Sequence, residues 1–313
     1  MRAIVMRERG GHDVLKLEDV QEPALSVGHV RVRVSLAGVT ADDVLARTGV
    51  IDDAPLPCTL GTEVVGVTDD GRRVVGLLEH GGYAERAVIP LDACWDIPAG
   101  IDDHQALTLV RDGNAAWHAL VTAAQIQAKE TVVVTAAGSG VGVLAVQLAR
   151  RLGTRVVALA EHQADRDYAL ELGADTVVDS RTGNLDRQVI AAAGGPVDAV
   201  IDLSGGLDVP ALATAVAPGG RIALYGRPPA SAAPISMDLL LGQSLTMSAF
   251  RLTHLRRDQI GLAMGMRALF TTILDGTLIL PPGQTYPLGS AAQAHLDLET
   301  HPGPQKLALD ATT

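Results

Sequence analysis

At 313 residues the chain is about twice the ~150 residues of an average domain, so two domains are expected. Hydrophobic residues make up 47% and charged ones 19%, which excludes a disordered chain, while aromatics at 3% leave a core of Val, Leu, Ile and Ala, the composition of parallel sheets buried on both faces. Acidic residues outnumber basic ones 36 to 25, and the net charge of −11 argues against nucleic-acid and membrane-surface partners.

Cys58 and Cys94 are too few for a four-cysteine zinc lobe, and a disulfide framework is not expected in a chain this long. The opening Met-Arg-Ala-Ile-Val-Met-Arg-Glu-Arg places charges where a signal peptide needs apolar residues, so a cytoplasmic location is expected. Residues 1–113 carry short alternating runs such as Val30-Arg31-Val32-Arg33-Val34, with Gly and Asp between them. This is β-rich, barrel-like texture. From 114 to 250, five apolar strands alternate with amphipathic helices, and Gly153, Gly173 and Gly219-Gly220 fall where helix C-terminal caps need them. Residues 251–313 predict a long helix over 254–275, a short helix over 291–299 and a closing strand at 306–309, too little to fold alone. The expected class is therefore α/β: a β-rich domain (1–113 and 251–313) split around a doubly wound parallel sheet (114–250).

The first βα turn of the alternating run reads Thr135-Ala136-Ala137-Gly138-Ser139-Gly140-Val141-Gly142. Small residues there let a diphosphate approach the backbone at a helix N-terminus, although Ala137 and Ser139 depart from strict G-x-G-x-x-G. Small residues also suit plain helix–sheet packing; following a strand and opening a helix favours a dinucleotide. The second strand ends Ala160-Glu161-His162. Glu161 would accept from a ribose 2′-hydroxyl and favour NAD(H). Arg166 or Arg181 would hold the 2′-phosphate of NADP(H), or be ordinary surface charges.

Several blocks in this order resemble one family: Gly38 to Leu45, Leu60-Gly61-Thr62-Glu63, Gly81-Gly82-Tyr83-Ala84-Glu85, Ala116-Trp117-His118-Ala119-Leu120, the glycine turn, and Gln305-Lys306-Leu307. The chain resembles the zinc-independent branch of the medium-chain dehydrogenase/reductases, the NAD(P)H quinone oxidoreductases and polyketide-type enoyl reductases. The resemblance implies a GroES-like domain split around a Rossmann domain, and hydride transfer to a small-molecule quinone or activated C=C. It also implies a homodimer through the sheet edge near 245–250. It places Gly138, Ser139, Gly140, Val141 and Gly142 at the diphosphate. Ser204, Gly205, Tyr225, Gly226 and Arg227 fall near ribose and nicotinamide, and Phe250 and Arg251 on a loop closing over the ring. It favours NADP(H) over NAD(H), although Asp165 stands where the family often has a basic contact to the 2′-phosphate. Alternatives are an enoyl reductase of specialised metabolism acting on a polar or carrier-linked enone, and a non-redox nucleotide-binding relative.

Zinc-dependent relatives carry Cys and His where this chain has Thr40 and Thr62; threonine is not a zinc ligand, and no zinc is expected. A hydroxyl donor aimed at an acceptor oxygen is worth ~3–4 kcal/mol, and Thr40 is the first candidate; the alternative is that it satisfies a turn. The family's frequent active-site Tyr is Leu45 here, leaving the proton source open. Asp42 and Asp43 read as helix caps. Arg111-Asp112-Gly113-Asn114 interrupts a usually bland stretch, so its charged residues either anchor a polar or carboxylated substrate, with Arg111 or Asn114 joining Thr40 in polarising the acceptor, or form a buried ion pair. His118 is expected in the core, the other histidines as solvated or structural, and Arg256-Arg257 on a solvated helix face.

Overall fold

The computed structural model describes all residues except 52–54, 206–207, 228–233 and 256–257. It divides into two compact units, Met1–Arg111 with Arg256–Thr313, and Asp112–Leu255.

In the first unit, β1 (Arg2–Met6) and β2 (Leu15–Asp19) form an antiparallel hairpin. β3 (His29–Val39) follows; its period-two pattern buries Val32 and Val34 and exposes Arg33, as a strand with one solvated face should. It leads directly into α1 (Ala41–Thr48). β4 (Glu63–Thr68), β5 (Arg73–Leu77), β6 (Arg86–Pro90) and β7 (Cys94–Asp96) come next, then α2 (Asp103–Thr108), closed at its start by a capping box between Asp102 and Gln105.

The second unit alternates without interruption: β8 (Thr131–Val134), α3 (Gly140–Arg151), β9 (Arg155–Ala160), α4 (Gln163–Glu171), β10 (Thr176–Asp179), α5 (Leu185–Ala193), β11 (Val197–Asp202), α6 (Val209–Ala215), β12 (Val216–Leu224), α7 (Met237–Gly242) and β13 (Thr246–Ala249). The six strands are parallel, in the order β10-β9-β8-β11-β12-β13. Val133, Val157, Val200 and Ile222 belong to its core, and burial runs almost continuously along the central strands β8, β9 and β11, as helices on both faces require. The sequence predicts five strands here. The sixth, β13, reads Thr-Met-Ser-Ala and has no branched apolar run to announce it. The strand order reverses between β8 and β11, the switch point where open α/β sheets bind ligands.

The chain then returns to the first unit through α8 (Gln259–Leu274), β14 (Gly283–Pro287), α9 (Ala291–Thr300) and β15 (Lys306–Asp310). β15 pairs with β3, setting Leu307 opposite Val39, in a seven-stranded sheet ordered β14-β15-β3-β4-β5-β7 with β6 also on β3. The helix expected over 254–275 begins only at Gln259, because the Asp258 carboxylate accepts from the Gly261 N–H at 2.9 Å and caps it there; Leu252–Leu255 forms a separate turn. Arg256 and Arg257 lie outside the described residues.

Candidate functional site

In the second unit the residues singled out from sequence gather at the carboxyl ends of the parallel strands. After β8 the chain turns through Ala136 at φ +46°, and Ser139 caps α3 by accepting from the Gly142 N–H at 3.0 Å. A Cβ on Gly142 would stand 2.1 Å from the Ala136 carbonyl oxygen, so only glycine fits. Among the described residues, the N–H groups of Gly140 and Val141 have no acceptor. Two open amides and the positive end of a twelve-residue helix are what a diphosphate needs.

The end of β9 is acidic. Glu161 is exposed, and Asp165 lies against the turn: a Cβ on Gly138 would be 2.3 Å from the Asp165 Cγ. Buried Arg166 donates to the carbonyls of Ala160 (2.9 Å) and Glu161 (2.8 Å) and to Gln163 Oε1 (3.0 Å), and pairs with Asp179 at 3.2 Å. Arg181 donates to both carboxylate oxygens of Asp179, at 3.1 and 2.9 Å. These bonds from Arg181 hold the Asp179 carboxyl well below the usual carboxylate range. Both arginines expected at a 2′-phosphate are therefore engaged with Asp179.

At the end of β11, Asp202 ties three strand ends together. Its Oδ1 accepts from Thr135 Oγ1 at 3.1 Å and Ser204 Oγ at 2.7 Å, and its carbonyl accepts from the amides of Tyr225 and Gly226 at 3.0 and 3.3 Å. Asp202 Oδ2 is buried with no hydrogen-bond partner among the described residues. Sequence reasoning missed Asp202; its signal is a lone acid closing an apolar strand. Gly205 sits at φ +96°, and a Cβ there would lie 2.4 Å from the Arg227 carbonyl oxygen, while one on Gly226 would lie 2.3 Å from the Gly205 amide nitrogen. Two glycines thus let the loops after β11 and β12 run in contact. Beside them Tyr225 and Phe250 stack at 5.2 Å between ring centroids, and Arg227 and Arg251 are exposed.

In the first unit, Thr40 caps α1 and forms a capping box with Asp43. The Thr40 N–H donates to Asp43 Oδ2 at 2.9 Å, the Thr40 hydroxyl donates to the same oxygen at 2.6 Å, and the Asp43 N–H donates back to Thr40 Oγ1 at 3.3 Å. Gly61 N–H occupies Asp43 Oδ1 at 3.0 Å. Burial raises the Asp43 pKa, with the Thr40 hydrogen bond and the Arg111 charge pulling the other way. Of the two expected caps only Asp43 serves as one; Asp42 forms an ion pair with Arg111, which also donates to Thr62 Oγ1 at 3.1 Å. The pair is not a buried one, since the Asp42 side chain is 44% exposed. Asn114 belongs to the other unit and is fully buried, and His118 is core, its Nδ1 lying 2.8 Å from Thr122 Oγ1.

Behind Asp43, fully buried Tyr83 has its hydroxyl 3.0 Å from His295 Nε2. Burial, reinforced by the Asp43 charge, raises the Tyr83 pKa far above that of a free phenol, and burial pushes His295 down to about 3. The Glu63 carboxylate forms a buried ion pair with the Lys306 ammonium, and a Cβ on Gly38 would lie 1.8 Å from Glu63 Oε1. Neither pair was read from the sequence.

A family model described as zinc-binding dehydrogenase matches residues 140–266. The chain is similar to quinone oxidoreductase of Sus scrofa, 29% identical over 95% of this chain and 94% of that one. It is also similar to 2-haloacrylate reductase of a Burkholderia species, 27% identical over 94% of each. A solved mycobacterial protein complexed with NADPH shares the fold with a TM-score of 0.90 at 27% identity, covering 99% of each chain. Over nearly its whole length, then, the chain is similar to quinone oxidoreductases and to a 2-haloacrylate reductase.

The donor set of the first unit does not suit zinc. Thr40 and Thr62 offer hydroxyls already bonded to Asp43 and Arg111, and Glu63 has the Lys306 ammonium as its resident cation. Among the described residues no three His, Cys, Asp or Glu side chains come together as metal ligands, and no helix is long and apolar enough to cross a membrane.

Proposed function

We propose that the protein is a zinc-independent NAD(P)H-dependent reductase that adds hydride to a small-molecule quinone or activated C=C. The carrying observation is the glycine-only turn at the sheet's switch point, with the Gly140 and Val141 amides open toward an anion. The quinone oxidoreductase and 2-haloacrylate reductase relatives support the acceptor class, and the NADPH held by the mycobacterial relative supports the cofactor class. When bound, the nicotinamide ring supplies the hydride. The turn 138–142 holds the diphosphate, and Ser204, Gly205, Tyr225, Gly226, Arg227, Phe250 and Arg251 hold the ribose and the ring. The division of labour follows 1–113 and 251–313 for catalysis and 114–250 for nucleotide binding.

The acceptor gains a proton as well as a hydride, and Leu45 cannot donate one. Thr40 and Asp43 fill that role. A buried carboxyl with a raised pKa keeps a proton more readily than an exposed one. When Asp43 holds it, the 2.6 Å bond between the carboxyl and Thr40 Oγ1 reverses direction, and the Thr40 hydroxyl hydrogen is released to polarise the acceptor oxygen. The reading includes a homodimer through edge strand β13, supported by Met237 and Leu241 exposed on the preceding helix, and a cytoplasmic location.

The test mixes the full chain with NADH or NADPH and a panel of quinones and enones, following the loss of nicotinamide fluorescence. Turnover is expected with at least one pair, and Thr40→Val is expected to bind cofactor but to lose at least tenfold in turnover. If neither dinucleotide binds at high micromolar concentration the assignment is wrong. Full turnover by Thr40→Val removes Thr40 from the mechanism.

A further inference from the structure

We infer that the enzyme selects NAD(H) over NADP(H), with Glu161 accepting from the adenosine ribose hydroxyls and Asp165 excluding a 2′-phosphate. The inference rests on the hydride-transfer reading and goes against the cofactor seen with the mycobacterial relative. In an open parallel sheet, the residue closing the second strand of the nucleotide-binding half faces the ribose 2′ position. Here that strand is β9, and exposed Glu161 follows it directly. Asp165 brings a second carboxylate onto the same turn, since its Cγ lies where a Cβ of Gly138 would be, 2.3 Å away. The Glu161 charge is also felt at Asp208, on the loop after β11, whose pKa is raised by burial and then by Asp202 and Glu161.

The two arginines expected at a 2′-phosphate are already engaged. Arg166 is buried and held by two backbone carbonyls, Gln163 and Asp179, and Arg181 makes a two-pronged pair with the same Asp179. Glu161, Asp165 and Asp179 against Arg166 and Arg181 leave a local charge of −1 (three negative, two positive). A 2′-phosphate would add about −1.5 to −2 to it. To neutralise that phosphate Arg181 would have to leave Asp179. A 2′-hydroxyl, in contrast, is a donor and Glu161 is an acceptor, so the same carboxylates that repel the phosphate bind the hydroxyl.

Equilibrium titration of the full chain, read as nicotinamide fluorescence, is expected to give NADH a Kd at least tenfold below that of NADPH. In competition, adenosine 5′-diphosphate should displace NADH better than adenosine 2′,5′-bisphosphate. Glu161→Gln should weaken NADH severalfold and leave NADPH unchanged or tighter, and Asp165→Asn should tighten NADPH. NADPH binding as tightly as NADH overturns the inference and leaves the reductase reading intact. Failure of both dinucleotides to bind overturns that reading instead. An NADH-to-NADPH ratio unmoved by both substitutions removes these two residues as its cause.

Discussion

The turn at 135–142 and the cluster around Asp43 are built from different materials. The turn is backbone: its useful groups are the Gly140 and Val141 amides, and its shape depends on Gly142 having no side chain within 2.1 Å of Ala136 O. The cluster is side chain: Asp43, Tyr83, His295, Glu63 and Lys306 are each 4% exposed or less, and all five are ionisable. An amide site needs geometry and little compensation, because helix ends are open by construction. A buried ionisable cluster is desolvated, so each charge in it depends on its partner. The first is therefore sensitive to volume and the second to charge.

The largest expected effect falls on charge. Lys306→Met leaves the Glu63 carboxylate buried without its ammonium, and breaking such a pair costs about 3–5 kcal/mol. Urea denaturation measures it, and the double variant Glu63→Gln/Lys306→Met should recover part of the loss. A shift below about 1 kcal/mol would mean that solvent reaches the pair and that charge is not the sensitive variable there.

Volume is tested next, on the other region. Gly142→Ala, a single methyl, is expected to weaken dinucleotide binding on the order of a hundredfold, about 2.8 kcal/mol, with the far-ultraviolet circular dichroism retained. Alanine binding within twofold of the parent would show that the turn yields, and the contrast between the two regions would lose its basis.

The same contrast explains what the sequence discloses. The parallel sheet is legible because Val132-Val133-Val134 and Val156 to Ala160 are contiguous apolar runs separated by helical periodicity, and the turn is legible because its small residues are consecutive. Local patterns carry both. The cluster is not legible, since its contacts are long-range: Tyr83 meets His295 across 212 positions, Arg111 meets Asp42 across 69, and Gly61 meets Asp43 across 18. No spacing rule links such residues. The same limit applies to Arg166 and Arg181. Both read as phosphate ligands or surface charges until Asp179, at the end of β10, is seen to hold them. The strand β13 escapes for a different reason, because it is half-buried at a sheet edge and needs no apolar run.

The smallest effect is also the most selective. His295 has its pKa lowered from 6.5 to about 3, by burial first and then by the charges of Arg47 and His12. A lowered pKa means that the folded protein resists taking a proton that the unfolded chain accepts. The contribution of His295 is thus complete above pH 6.5 and is lost progressively as the pH falls from 6.5 toward about 3, at up to about 1.4 kcal/mol per pH unit. His295→Gln keeps a side chain able to bond the Tyr83 hydroxyl but cannot titrate. Urea midpoints taken from pH 7 to pH 5 should therefore fall more steeply for the parent than for the variant. Parallel slopes would show that His295 protonates as easily folded as unfolded, which a histidine sealed behind Tyr83 cannot do; the cluster would then be open to water, and its resemblance to the amide turn would be closer than its burial suggests.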